Sequence, residues 1–169
     1  MKAFGIFIAM MLSVGLSAQL AGINRDFQKE IEKYIDNDVP VITLEQIDDF
    51  SIGSYILLDA REKEEYKVST IPGAIHIGYD DFDKSSLENL PKDKKIIVFC
   101  SIGYRSEVIG RKFVKAGFND VFNLYGSIFA WANAGKTLVK PNGNVTNEVH
   151  TYNEKWSKWV INPKVKKVY

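Results

Sequence analysis

The chain has 169 residues, 46% of them hydrophobic and 25% charged, the range of an ordinary globular domain with enough apolar side chains for one core. A formal net charge of +1 leaves no basic excess for nucleic acid or an anionic membrane surface, and no acidic run marks a disordered tail. One cysteine, Cys100, cannot close an internal disulfide.

Lys2, an apolar stretch from Ala3 to Leu16, and small Ser17 and Ala18 before polar Gln19 have the layout of a cleavable secretory signal over residues 1–18. The run is shorter than the roughly 20 apolar residues that a bilayer-spanning helix needs. An uncleaved anchor is the competing reading at that length, and cleavage after Ala18 leaves the large Leu16 at the third position back, so the cut site is not sharply defined. The expectation is an exported protein, periplasmic or secreted, with no stable membrane insertion after signal removal. Residues 19–40 form a helical lead-in: Phe27, Ile31 and Tyr34 recur at helical spacing within Arg25 to Tyr34, and Asp36 to Pro40 breaks the helix. Thr43 suits the N-cap of a second short helix with Glu45 and Gln46 in its first turn. The apolar run Tyr55 to Asp59 ends in a carboxylate and precedes the charged helical stretch Arg61 to Lys67, the pattern of a buried parallel strand with a crossover. A turn at Ile71-Pro72-Gly73-Ala74 leads into a short strand at Ile75 to Ile77. Lys95 to Phe99 is a second buried strand followed by a helix over Glu107 to Ala116. Asp120 to Leu124 is a third strand, followed by a helix over Ile128 to Ala134. Such alternation predicts an α/β domain, a parallel sheet with helices on both faces. The tail from Lys140 is polar and turn-rich, then aromatic at Tyr152, Trp156 and Trp159.

Ligands of an open parallel sheet sit outside the carboxyl ends of its strands, and Cys100 lies there, after Lys95 to Phe99. The next residues, Ser101-Ile102-Gly103-Tyr104-Arg105-Ser106, feed a helix whose free N–H groups and positive dipole end stabilise an anion. Thiolate pKa values fall in such settings from about 8.5 to roughly 3.5–7.5. Gly103 permits the tight turn, and Arg105 offers a planar fork suited to an oxyanion. Most free cysteines are simply buried small hydrophobes, but this setting favours an activated nucleophile. Asp59 suits a structural role better than that of a general base, bonding loop amides at the strand end. Arg61 read on its own fits a surface pairing with Glu64 or Glu65. His76 is expected as a hydrogen-bonded turn residue, and His150 with Tyr152 and Trp156 as the docking point of the tail. Two histidines and one cysteine fall short of a zinc site, and no nucleotide-binding motif is present, so neither metal nor cofactor is expected.

The stretch FCSIGYRS resembles the active-site segment of the rhodanese superfamily, and three further blocks agree. LLDAREKEEY (Leu57 to Tyr66) resembles its strand-plus-arginine block, IPGAIHI (Ile71 to Ile77) its proline-glycine turn, and Gly117 to Gly135 its C-terminal strand–turn–helix. The resemblance covers roughly Val41 to Val139 and leaves 140–169 as an extension packing on the domain. It implies a five-stranded parallel sheet flanked by helices and a cysteine cycling between thiolate and persulfide. Cys100 would then accept sulfane sulfur, and the amides of Ser101, Ile102, Gly103, Tyr104, Arg105 and Ser106 would cradle it. Arg105 would engage the donor, and Arg61, matching the family's arginine after the central strand, would line the same mouth. The partners implied are a small sulfur donor, thiosulfate or a persulfide, and a thiol or cyanide-like acceptor. Tyr125-Gly126-Ser127 departs from the two glycines many members carry, with Ser127 expected to cap the following helix. Phosphatases and arsenate reductases resembling this fold place five residues between cysteine and arginine. Here there are four, which favours a sulfurtransferase. Those enzymes, and a non-catalytic module binding sulfide or a protein partner, are the alternatives.

Overall fold

The computed structural model describes residues 20–48, 54–83, 85–88 and 90–169. The signal expected over 1–18 lies outside them.

Helix α1 (Arg25–Ile31) starts at Asn24, whose side chain accepts from the Phe27 amide, and ends three residues before the expected limit at Tyr34. Strand β1 (Val41–Ile42) is two residues long and carries no periodicity that a sequence can reveal. Helix α2 (Leu44–Asp48) follows a reciprocal cap. The Thr43 amide donates to Gln46 Oε1 at 2.9 Å, and the Gln46 amide to Thr43 Oγ1 at 3.4 Å. Then come β2 (Tyr55–Asp59), α3 (Lys63–Val68), β3 (Ile75–His76), α4 (Ser85–Glu88), β4 (Lys95–Phe99), α5 (Tyr104–Lys115), β5 (Val121–Leu124) and α6 (Ser127–Asn133). The tail adds β6 (Leu138–Val139), β7 (Val145–Thr146), β8 (Glu148–His150), α7 (Glu154–Ser157) and β9 (Lys166–Val168).

Strands β1 to β5 form a parallel sheet in the order β1-β5-β4-β2-β3. Both faces of its centre are covered, so β4 is apolar from Ile96 to Phe99, and its side chains divide by pleat. Ile97 and Phe99 enter a core with Phe27, Ile31, Leu124 and Phe129. Ile96 and Val98 enter a second core on the opposite face with Leu58, Ile109 and Phe113.

The segments flanking the expected domain belong to the first core. Lead-in residues Ile23, Phe27 and Ile31 are buried there, and so are Val149 and Val160 of the tail. Phe27 stacks on Trp159 with ring centroids 5.5 Å apart. The short tail strands pair as β6 with β7, antiparallel, and β8 with β9, parallel. Glu107, buried in α5, accepts from the amides of Asp36 and Asp38, both at 2.8 Å, and so fixes the lead-in beside the mouth of the sheet.

Candidate active site

Cys100 follows the last residue of β4, so its side chain stands at the carboxyl edge of the sheet. Its amide donates to Ser127 Oγ at 3.1 Å, and Ser127 Oγ in turn donates to the Leu124 carbonyl at 3.1 Å. Ser127 therefore does not cap α6 as expected. It is the first helical residue, with φ of 51°, next to Gly126 with φ of 70°, and no side chain caps that helix. The positive φ supplies a backbone reason for glycine at this position. Here a serine is held there by hydrogen bonds to the two strands it bridges.

The thiol is almost fully buried, 1% exposed. Cys100 Sγ accepts from the Gly103 amide at 3.2 Å. The loop reverses at Gly103, where φ is 130°, and α5 begins at the next residue, earlier than the expected Glu107. A Cβ on Gly103 would also stand 3.3 Å from Ile35 Cγ2, so both conformation and space favour glycine. Ser106 Oγ lies 3.5 Å from Cys100 Sγ, 3.0 Å from the Gly103 carbonyl and 2.7 Å from Asn123 Oδ1. Its single proton serves one of these acceptors at a time. Asn123, on β5, donates through Nδ2 to the Gly103 carbonyl at 2.9 Å and so fixes the loop from below. Burial pushes the Cys100 thiol up. The Arg105 charge, the Ser106 hydroxyl and amide, and the Gly103 amide outweigh it and hold the thiol below its ordinary range.

Arg105 stands on the first turn of α5, but its fork is already occupied. Nη1 and Nη2 donate to Glu65 Oε2 at 2.6 Å and Oε1 at 2.8 Å, and Nη2 also donates to Ser101 Oγ at 3.0 Å. Glu65, on α3 and 3% exposed, also accepts from Ser101 Oγ at 3.0 Å and from the Glu62 amide at 3.1 Å. Burial raises the Glu65 carboxyl, but Arg105, then Arg61 and the Glu62 amide, hold it below the usual carboxylate range. The Tyr152 ring covers the guanidinium, 5.5 Å from its Cζ.

Arg61 does not line the mouth. It is fully buried, and Nε and Nη2 donate to Asp59 Oδ1 at 2.9 Å and Oδ2 at 2.6 Å, with a third bond from Nη2 to the Ser69 carbonyl at 2.5 Å. Asp59 completes its set with the Arg61 amide at 3.1 Å and Thr70 Oγ1 at 2.8 Å. The pair ties the end of β2 to the loop after α3, so the arginine is neither a donor contact nor a surface charge. His76 places Nε2 2.8 Å from the Arg61 carbonyl and stacks on Tyr66. His150 accepts through Nδ1 from the Tyr152 amide at 3.0 Å.

A cavity of about 570 Å³ opens above the thiol. Of the residues expected at the site, Cys100, Ser101, Ile102, Tyr104 and Arg105 line it, whereas Gly103 and Ser106 stand behind the sulfur. The rest of the wall is new: Tyr34 from the lead-in, Glu62, Tyr79 and Asp80 from two loops, and Tyr152 and Trp156 from the tail. Only Glu62 and Glu65 had a local signal, because two acids three residues apart at a helix start suit a capping box. The others arrive through long-range packing. Among the described residues no group of three or more His, Cys, Asp or Glu side chains is close enough to hold a metal ion.

A family model described as a rhodanese-like domain matches residues 43–134. The chain is 37% identical over 84 residues to a tRNA sulfurtransferase of Desulfurococcus amylolyticus, covering 50% of this chain and 16% of that one. It is 31% identical over 88 residues to a sulfurtransferase of Allochromatium vinosum, covering 52% of this chain and 81% of that one. A crystal structure of a rhodanese-related protein from Thermoplasma volcanium superposes with a TM-score of 0.53 at 26% identity, over 59% of this chain and 97% of the other.

Proposed function

Because the chain belongs to the rhodanese-like family, we propose that it is a sulfurtransferase carrying sulfane sulfur as a persulfide on Cys100, taken from thiosulfate or a persulfide and passed to a thiol or cyanide-like acceptor. The observation that carries this reading is the environment of Sγ. It is a thiol held below its ordinary range, at the floor of a cavity, with amide and hydroxyl donors converging on it. In the first half-reaction the thiolate pair attacks the outer sulfur of the donor and forms a new S–S bond. The bond from that sulfur to the rest of the donor breaks, and its electron pair leaves on sulfite or on a thiolate. The second half-reaction repeats the displacement, with the acceptor attacking the outer sulfur and Cys100 leaving as thiolate. Sulfur is handed on without net oxidation of the protein. The Gly103 amide, Ser106 and the positive end of the 12-residue α5 stabilise the anion in both forms.

The four-residue spacing between Cys100 and Arg105 supports sulfur over a phosphoryl group, and the Arg105–Glu65 pair supports it further. A phosphatase needs that fork free for the peripheral oxygens of its substrate. Intact-mass analysis tests the proposal. Incubation with thiosulfate or an organic persulfide should add one sulfur atom, cyanide should remove it, and Cys100→Ser should prevent the addition. Turnover of either donor by a folded Cys100→Ser variant would sink the reading.

A further inference from the structure

The wall of the cavity carries the wrong charge for a small dianion. Its one cation among the described residues is Arg105, and the buried Glu65 carboxylate holds its fork through two hydrogen bonds. The remaining charged groups in the wall are the carboxylates of Glu62 and Asp80 and, when ionised, Cys100 itself. Neither Glu62 nor Asp80 belongs to an ion pair among the described residues. The two are held side by side, since Glu62 Oε1 accepts from the Asp80 amide at 3.3 Å. Thiosulfate entering this space meets the carboxylates of Glu62 and Asp80 on approach and, at the end, a guanidinium whose fork already holds the Glu65 carboxylate.

The same wall suits a different donor. Five aromatic rings face the space: Tyr34, Tyr79, Tyr104, Tyr152 and Trp156. Tyr34 and Trp156 meet edge to face with centroids 5.3 Å apart, joining the lead-in to the tail. Tyr152 adopts φ of 65°, an uncommon conformation for a side chain of its size, and its ring lies over the arginine. Aromatic faces attract cations, and carboxylates beside them add to the attraction. At about 570 Å³ the cavity is of a size that encloses an organic molecule, far larger than an ion of five heavy atoms requires.

We propose that this aromatic and acidic cavity selects as sulfur donor an organic persulfide whose body carries an ammonium group, in preference to thiosulfate and to anionic persulfides. The inference rests on the persulfide chemistry proposed above for Cys100. The thiolate attacks the outer sulfur of R–S–SH, the donor's S–S bond breaks, the SH group passes to Cys100, and R–S⁻ departs with the electron pair while the ammonium of R faces Glu62 and Asp80. No oxidant or reductant enters.

Two persulfides of equal chain length isolate the charge: those of 2-aminoethanethiol and of 3-mercaptopropionate, with thiosulfate as a third donor. Sulfur loading on Cys100 is followed by intact mass, and each rate is divided by that donor's rate with a free small thiol. The cationic persulfide should load about tenfold faster than the anionic one, the size of one partly screened charge contact, and added salt should shrink the ratio. Asp80→Asn, a change at an exposed position, should lower the ratio, and the double variant with Glu62→Gln should bring it near unity. Equal loading by the two persulfides, a preference for thiosulfate, or a cation preference that survives the double variant would overturn the proposal and leave sulfur transfer intact. Failure of all three donors to load would instead overturn the sulfurtransferase reading, and the donor proposal with it.

Discussion

Replacing Glu65 by glutamine removes one charge from the pair that holds Arg105 and keeps the shape of the side chain. Breaking a buried ion pair by deleting one partner costs about 3–5 kcal/mol, mostly because a charge is left without compensation. Two features reduce that here: the Arg105 side chain is 13% exposed, and glutamine retains one acceptor oxygen. A loss of about 2–3 kcal/mol is therefore expected, a fall in Tm of about 4–12 °C for a chain of this size. The pH dependence is a stricter measure. The Glu65 carboxyl is held below its ordinary range in the folded protein, so its stabilisation is full above the unfolded carboxyl value of about 4.3 and disappears as pH falls through the folded value. Glutamine does not titrate. Urea unfolding of the two proteins should thus show a constant gap from neutral pH to about 4.3 and a closing gap below it, with equal m-values. The freed guanidinium should also turn its fork toward the cavity, raising thiosulfate loading relative to an organic donor. A gap under about 0.5 kcal/mol at pH 7, or one unchanged in acid, refutes the pairing of Arg105 with Glu65 as a stabilising ion pair.

Arg61→Met leaves the Asp59 carboxylate buried and unpaired, so urea unfolding should show a loss of about 3–5 kcal/mol. Donor KM should be unchanged in the molecules that remain folded; a raised KM would return Arg61 to the mouth. The natural chain should hydrolyse an aryl phosphate negligibly and reduce no arsenate, whereas a glycine inserted after Gly103 should weaken sulfur transfer and admit larger oxyanions. Phosphatase turnover comparable to sulfur loading would refute the loop-length argument. The apolar leader predicts export, with N-terminal sequencing of the mature protein starting near Gln19, and Met1 recovered from a soluble cytoplasmic fraction would refute it.

Local chemistry was enough to locate the central strands of the parallel sheet and the cysteine at their carboxyl edge. The runs Tyr55 to Asp59 and Lys95 to Phe99 are strands with those limits, because both faces of the sheet centre are buried and apolar side chains fill the successive positions Ile56 to Leu58 and Ile96 to Phe99. Cys100, Gly103 and the helix after them are adjacent in sequence, so the loop around the thiol could be read from one short segment. Strand β1 and the four tail strands gave no comparable signal, since two or three residues become a strand only when a partner edge is present.

The two arginines mark the boundary most clearly. Sequence places each near a strand end, offers Glu64 or Glu65 as surface partners for Arg61, and names no carboxylate for Arg105. Asp59, two residues from Arg61, folds back to claim it, and Glu65, forty residues from Arg105, is delivered by α3 to claim the other. Both choices follow from burial, which leaves a guanidinium little alternative to a carboxylate. The aromatic part of the cavity wall is likewise a product of packing, because Tyr34 and Trp156 come from the lead-in and the tail, which also pack Phe27 against Trp159 on the same face of the sheet. What chemistry the sulfur can do was therefore legible in the order of residues around Cys100. Which charges are paired and which line the cavity emerged only on folding, because electrostatic fields depend on distances in space that chain separation does not encode.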